Sequence, residues 1–124
     1  MTDLQKLAIA YGASRIAYAV ALIAAPKQAA GPWLGPDAAS GGGKVAARAL
    51  AVRDGALGAG VAAAALNESS MRPWLFACIA SDLVDATATW REREDLPERA
   101  GPATLAVAGG MAAAGAALAL AAEQ

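Results

Sequence analysis

Six charged residues lie inside otherwise apolar stretches of the sequence, where charged side chains are rare and costly to bury. They are Arg15, Arg48, Arg53, Asp54, Asp82 and Asp85. Asp82 and Asp85 are three residues apart, so on a helix their carboxylates share one face and can share a proton. This chemistry would suit a proton relay or a polar substrate site.

The same six residues have a second interpretation, as a buried ion-pair network that fixes which helices pair and in which register. Three cations balance three carboxylates, so no acid is evidently left unpaired to titrate. The sequence therefore favours the ion-pair network over the relay.

Four apolar segments would position these charges, each close to the roughly 20 residues that a transmembrane helix needs. They comprise residues 4–25, 44–66, 71–90 and 102–122. Laid antiparallel with their centres aligned, the first three place Arg15, the Arg53-Asp54 pair and Asp82 at one depth. Asp85 then lies about 4.5 Å, and Arg48 about 8 to 10 Å, toward one side. We expect an all-α, four-helix transmembrane bundle with antiparallel up-and-down topology, forming one domain over residues 1–124.

Helical periodicity gives the first and third segments one polar stripe each. The stripes are Tyr11, Arg15, Tyr18 and Leu22, and Cys78, Asp82, Asp85 and Thr89. We expect Arg15 to pair with Asp82 or Asp85, and Arg53 or Arg48 to pair with the remaining carboxylates. Adjacent helix residues diverge by about 100°, so Arg53 and Asp54 face different neighbours, one of them another helix or a second subunit.

The apolar fraction of the sequence consists mainly of small side chains. Of the 71 hydrophobic residues, 38 are Ala, and only 24 are Leu, Ile, Val or Phe. The last segment nevertheless carries no charge and no polar face for water. Trp74 and Trp90, 16 residues or about 24 Å apart on a helix, bracket the third segment as membrane-interface anchors would. These features favour a membrane protein over the alternative, a soluble Ala-rich four-helix bundle.

Composition excludes several kinds of site. The sequence has no His and one Cys, which excludes a haem held by His, a His-containing zinc site, a Ser-His-Asp triad and an intrachain disulfide. A net charge of -1 argues against a nucleic-acid partner. No nucleophile lies near a base and no metal-ligand set is present, so we expect no enzyme, no cofactor and no metal.

Lys and Arg residues in the connecting segments predict an orientation. Six lie in or beside the first and third loops and two lie on the opposite side: Lys27, Lys44, Arg48, Arg91, Arg93 and Arg99, against Lys6 and Arg72. Such residues accumulate on the cytoplasmic side of bacterial-type plasma membranes, so we expect a multi-pass protein with both termini outside.

The first loop, residues 26–43, contains three prolines and the run Gly41-Gly42-Gly43, which stop the first helix from continuing. We expect a plain loop or a segment lying at the membrane interface. Small residues at four-residue spacing, such as Gly55 with Ala59 and Gly109 with Ala113, further indicate closely packed helices.

The run Arg53-Asp54-Gly55-Ala56-Leu57-Gly58, followed by Asp85, resembles a family of small four-helix integral membrane proteins of unknown activity. In that family an Arg-Asp-x-x-x-Gly motif lies in the second helix and an Asp lies late in the third. The resemblance covers roughly residues 45–120 and implies a fold and a membrane location, with no activity. Family members often carry a His near the start of the fourth helix, which this sequence lacks, so the resemblance gives no support for metal or proton chemistry.

These observations together predict a small integral membrane protein that acts as a non-catalytic interaction or accessory protein with a midplane ion-pair network. Its expected partners are the lipid bilayer and either a second copy of the chain or another membrane protein. The alternative is a small carrier or proton-linked membrane protein that uses the Asp82/Asp85 pair with Arg15.

Overall fold

The computed structural model describes residues 1–123, which form five α-helices and no strand. The helices are α1 (Asp3–Ala24), α2 (Pro26–Leu34), α3 (Gly41–Leu66), α4 (Arg72–Arg91) and α5 (Ala100–Ala121), with 3₁₀ turns at Gly35–Ala39 and Arg93–Asp95. The predicted all-α class is confirmed. Three helices, α1, α3 and α5, are long and apolar enough to cross a membrane, where the sequence predicted four. α4 is the predicted span that is not among them, because two Asp and three hydroxyl residues make it less apolar.

The segment 26–43, predicted as a loop or interfacial segment, is largely helical. The first helix does end before Pro26: its last residue is Ala24, and the φ of -140° and ψ of 67° at Ala25 are not helical. Pro26 then opens α2, because its fixed φ and missing N–H are tolerated in the first turn of a helix. Pro26 therefore separates two helices, whereas Pro32 lies inside α2.

The start of α3 also differs from the prediction, because the helix begins three residues earlier, at Gly41. Ser40 caps it: the hydroxyl of Ser40 accepts a hydrogen bond from the backbone N–H of Gly43 at 2.9 Å. A capping side chain of this kind satisfies one of the free N–H groups of the first turn, which stabilises a helix start that contains three glycines.

The long helices pack as two antiparallel pairs. The start of α1 is tied to the end of α3, where the Gln5 side-chain amide donates to the Ala65 carbonyl at 3.0 Å. The start of α4 is tied to the end of α5 by an ion pair between Arg72 and Glu123. α3 and α4 also contact each other directly and join the two pairs.

The α1–α3 pair crosses at two glycines, Gly12 and Gly58. A Cβ atom built on Gly58 would lie 2.5 Å from the carbonyl oxygen of Gly12 and 2.9 Å from the Cβ of Arg15. A Cβ atom on Gly12 would overlap the carbonyl oxygen of Gly58. The two backbones are therefore in contact, and no larger residue fits at either position without moving a helix. Gly109, which the small-residue spacing singled out, meets nothing within 4 Å.

Two apolar cores lie at opposite ends of the helices, and the charged residues lie between them. One core surrounds Tyr11, Val61, Leu75 and Leu118. The other surrounds Leu22 and is completed by alanines of α2, α3 and the first 3₁₀ turn. Most buried apolar residues are Ala, whereas many larger aliphatic side chains point outward.

Candidate functional site

Arg15 is the centre of a buried ion network. α1 carries it one turn after Tyr11, and only 4% of its side chain is exposed. Its Nη1 donates to Asp82 Oδ2 at 2.9 Å and its Nη2 donates to Asp82 Oδ1 at 3.0 Å. Nη1 also donates to the Tyr11 hydroxyl at 3.3 Å. The planar guanidinium and the carboxylate therefore form a bidentate pair, the strongest geometry available to such groups.

The network continues from α1 through α3 to α4. Arg15 Nη2 donates to Asp54 Oδ1 at 3.1 Å, and the same oxygen accepts from Arg53 Nη2 at 3.4 Å. Arg53 Nη2 also donates to Asp85 Oδ2 at 2.6 Å. Asp54 thus faces α1 while Arg53 faces α4, as two adjacent helix residues separated by about 100° must. Both neighbours are helices of the same chain.

Of the six charged residues singled out in the sequence, the structure brings five together and leaves Arg48 outside the network. Arg48 is exposed, and its Nε donates to the carbonyl of Ile23 at the end of α1 at 3.4 Å. It lies five residues before Arg53, about 140° away around the helix and more than a turn along it. The assembled network accordingly contains two guanidinium groups and three carboxylates, so the expected balance of three against three does not hold.

Two carboxylate oxygens of the network have capacity to accept further hydrogen bonds. Asp54 Oδ2 and Asp85 Oδ1 accept no hydrogen bond from residues 1–123, and the two side chains are 11% and 18% exposed. The Nε atoms of Arg15 and Arg53 are buried and make no hydrogen bond within the same residues. Arg53 does not line the cavity described next, so the spare hydrogen-bonding capacity that the network offers there is that of its carboxylate oxygens.

These carboxylates line a partly open cavity of about 460 Å³ to which all five helices contribute. Arg15, Asp54, Asp82 and Asp85 form its charged wall. Tyr18 of α1 and Trp33 of α2 supply aromatic rings, and α5 supplies a mostly apolar wall between Ala100 and Met111. The Trp33 indole N–H donates to the Thr89 hydroxyl at 2.8 Å, which ties α2 to α4 beside the cavity.

Sequence reasoning missed the α2 and α5 walls of this cavity. Trp33 lies in the segment expected to be a loop or an interfacial segment, and α5 offers no periodic polar signal because Thr104 is its one hydroxyl side chain. Tyr18 and Thr89 were on the polar stripes of their helices, and those stripes were the available signal. Which helices face each other could not be read from either stripe.

Trp74 and Trp90, the expected interface anchors, lie at opposite ends of α4 and are each 42% exposed. Both also pack on protein. The Trp74 indole covers Gly60 of α3 so closely that a Cβ atom there would overlap the ring. The Arg93 guanidinium stacks 4.4 Å from the centroid of Trp90. Their role at a membrane interface stays a prediction.

Outside the network and the cavity, the described residues offer few groups that could bind a metal or react. No group of three or more His, Cys, Asp or Glu in residues 1–123 is arranged to hold a metal ion. Cys78 is fully buried in the core around Tyr11. Comparison of the chain with protein-family models, with curated proteins and with solved structures found no match.

Proposed function

We propose that this chain is a small integral membrane protein that spans the bilayer with α1, α3, α4 and α5. The support is the distribution of apolar side chains: Val45, Val107 and Leu120 are 70%, 68% and 64% exposed, while most buried apolar residues are Ala. In water such a surface is unfavourable, but in lipid it faces a matching environment. α4 is included because its two carboxylates are paired with arginines of α1 and α3, which reduces the cost of burying them.

Within the bilayer, the protein acts as a non-catalytic interaction or accessory protein, and the ion network connects its helices. The observation that carries this proposal is the bidentate pair between Arg15 and Asp82. It joins the α1–α3 pair to α4 at mid-helix, where lipid removes the usual hydrophobic drive for association. The partner is another membrane protein or a second copy of the chain.

Carbonate washing of membranes from expressing cells tests the location. The protein should stay with the membranes at high pH and be released by mild detergent, and proteins that co-purify with it would then identify its partner. Recovery in the soluble fraction would refute the membrane proposal. The charges of the network would then belong to a soluble Ala-rich bundle whose function must be sought in a binding face.

The proposed orientation places both termini outside a bacterial-type plasma membrane, because the α1–α3 and α4–α5 connections carry most of the loop cations. Cysteines introduced one at a time at Glu68 and Asp95, in the two connections of α4 and in a chain with Cys78 replaced by Ala, test it with a membrane-impermeant maleimide. In intact cells the Glu68→Cys variant should be labelled and the Asp95→Cys variant protected. The opposite pattern would invert the orientation.

A carrier or proton-linked membrane protein is the second candidate, and the cavity beside the network favours it. Asp85 separates the two roles, because it pairs with Arg53 and also lines the cavity. If Asp85→Asn folds normally but abolishes a cellular transport phenotype, the carrier is supported. If the variant instead fails to assemble, the structural role of the network is supported.

A further inference from the structure

We propose that the cavity binds a primary ammonium group carried on a small apolar body, with the carboxylates of Asp54 and Asp85 as its receptor. This goes beyond the accessory role and does not require transport. The two carboxylates are neighbours, since Arg53 Nη2 contacts both, at 3.4 Å and 2.6 Å. Each lines the cavity and has one oxygen that accepts no hydrogen bond from residues 1–123.

The charge of the network calls for a cation. Two guanidinium groups meet three carboxylates, and Arg48, which would balance the third, lies on another face of α3. Asp54 as a whole is only 7% exposed, so its charge is poorly solvated. An excess negative charge in such a place is costly unless a counter-charge is bound. One monovalent cation in the cavity supplies it.

The kind of cation follows from the groups that line the cavity. The carboxylate oxygens of Asp54 and Asp85 are acceptors, and an alkylammonium offers three N–H donors to satisfy them. The rings of Tyr18 and Trp33 border the same space and favour a cation over a neutral guest. The α5 wall, with Val107 and Met111, suits an apolar body.

The size of the cavity agrees with a small organic guest. Its volume of about 460 Å³ falls in the range of small-molecule sites. A quaternary ammonium has the charge but no N–H, so it should bind more weakly than a primary ammonium. A divalent metal ion is disfavoured because the described residues offer no cluster of ligands for one.

A primary ammonium group could come from a free amine or from the headgroup of an ethanolamine lipid. Both present the same N–H donors to the carboxylates. The network lies near the middle of α1 and α4, far from the helix ends where headgroups would reside. This depth favours the free amine, and the two sources can be separated experimentally.

Isothermal titration of the full-length chain, purified in a mild nonionic detergent, with n-butylammonium chloride tests the site. We expect saturable binding of one butylammonium per chain. Butanol, which has the same body without charge, should not bind, and tetramethylammonium should bind at least several-fold more weakly. Repeating the titration in vesicles with and without ethanolamine lipid separates the sources: competition by the lipid assigns the site to headgroups, and unchanged affinity assigns it to free amines.

Three variants sharpen the test. Asp85→Asn removes one receptor charge and should weaken butylammonium binding by about tenfold or more. Ala108→Leu fills space along the cavity wall without touching a charge and should also abolish binding, which keeps the proposal testable if Asp85→Asn folds poorly. Arg48→Gln changes a charge outside the network and should leave the affinity unchanged.

Several results would overturn the ammonium site. One is the absence of saturable binding up to about 10 mM butylammonium, because a weaker affinity would not indicate a specific site. Another is equal binding of butanol. A third is equal affinity of the wild type and the folded Ala108→Leu variant for butylammonium. Displacement by potassium at equal concentration would also refute it, because selectivity for N–H donors would be missing. None of these results bears on the membrane location, which carbonate washing decides separately.

Discussion

Replacing Arg15 by methionine should destabilise the folded chain more than any other single loss of charge. The change removes both hydrogen bonds to Asp82, at 2.9 Å and 3.0 Å, and the one to Asp54 at 3.1 Å. Only 8% of the Asp82 side chain is exposed, and no other residue in 1–123 donates to it. A buried charge deprived of its partner costs about 3 to 5 kcal/mol, so the free energy of unfolding should fall by that amount.

A second substitution should recover most of this loss. In Arg15→Met/Asp82→Leu both members of the bidentate pair are replaced by apolar side chains, and Asp54 keeps its contact with Arg53 at 3.4 Å. Replacing a buried ion pair by apolar residues of similar volume is often neutral, so the double variant should lie within about 1 kcal/mol of the wild type. The two changes would then be coupled, with an interaction energy of at least about 2 kcal/mol in magnitude.

Equilibrium unfolding in mixed micelles of mild detergent and SDS, followed by far-ultraviolet circular dichroism, measures these free energies. Arg48→Met is the matched control, because it removes an arginine from α3 that contacts only the Ile23 carbonyl among residues 1–123, at 3.4 Å. Its effect should stay within about 0.5 kcal/mol. The reasoning is refuted if Arg15→Met costs no more than Arg48→Met, or if the double variant is as unstable as the sum of its single variants.

Three further predictions concern close contacts and burial. Gly58→Ala should lower the free energy of unfolding by about 1 to 3 kcal/mol, because the added Cβ meets the α1 backbone. Gly109→Ala should raise the free energy of unfolding by about 0.5 to 1 kcal/mol, because nothing lies within 4 Å of the added Cβ. The same detergent titration checks both, and equal effects would contradict the crossing. Gly60→Ala should push the Trp74 indole off α3 and shift the tryptophan emission, and an unchanged spectrum would argue against that contact. Cys78 should resist maleimide in mild detergent and react in SDS, so rapid labelling of the folded chain would show that it is not buried.

The sequence specifies the helices better than it specifies their neighbours. Apolar segment length predicts the extents of α1 and α5 closely, and alignment of segment centres places Arg15, Asp54 and Asp82 at a common depth. Arg48, which lies more than a helical turn from Arg53 along α3, stays outside the network. Its angular position on α3 turns it away from the network and toward the end of α1.

The helix crossing and the helix α2 could not be predicted because they depend on contacts between helices. Every helix here is rich in small residues, so spacing could not distinguish the crossing at Gly12 and Gly58 from Gly109, which meets nothing within 4 Å. The prolines of segment 26–43 predicted the end of the first helix but gave no indication that a second helix, α2, follows it. Both of these features shape the cavity: α2 supplies Trp33, and the crossing at Gly12 and Gly58 sets how closely α1 approaches α3.

The order of the charges along the chain has a consequence for biogenesis. Arg15 is synthesised 39 residues before Asp54 and 67 residues before Asp82, its two acidic partners. In a chain that enters the bilayer from its N-terminus, α1 therefore arrives with an uncompensated cation. That cation is neutralised only when α3 and α4 have been made. If the chain spans a bilayer as proposed, stable insertion of α1 is therefore tied to the synthesis of α4, and a chain truncated before α4 should be retained at the insertion machinery or degraded.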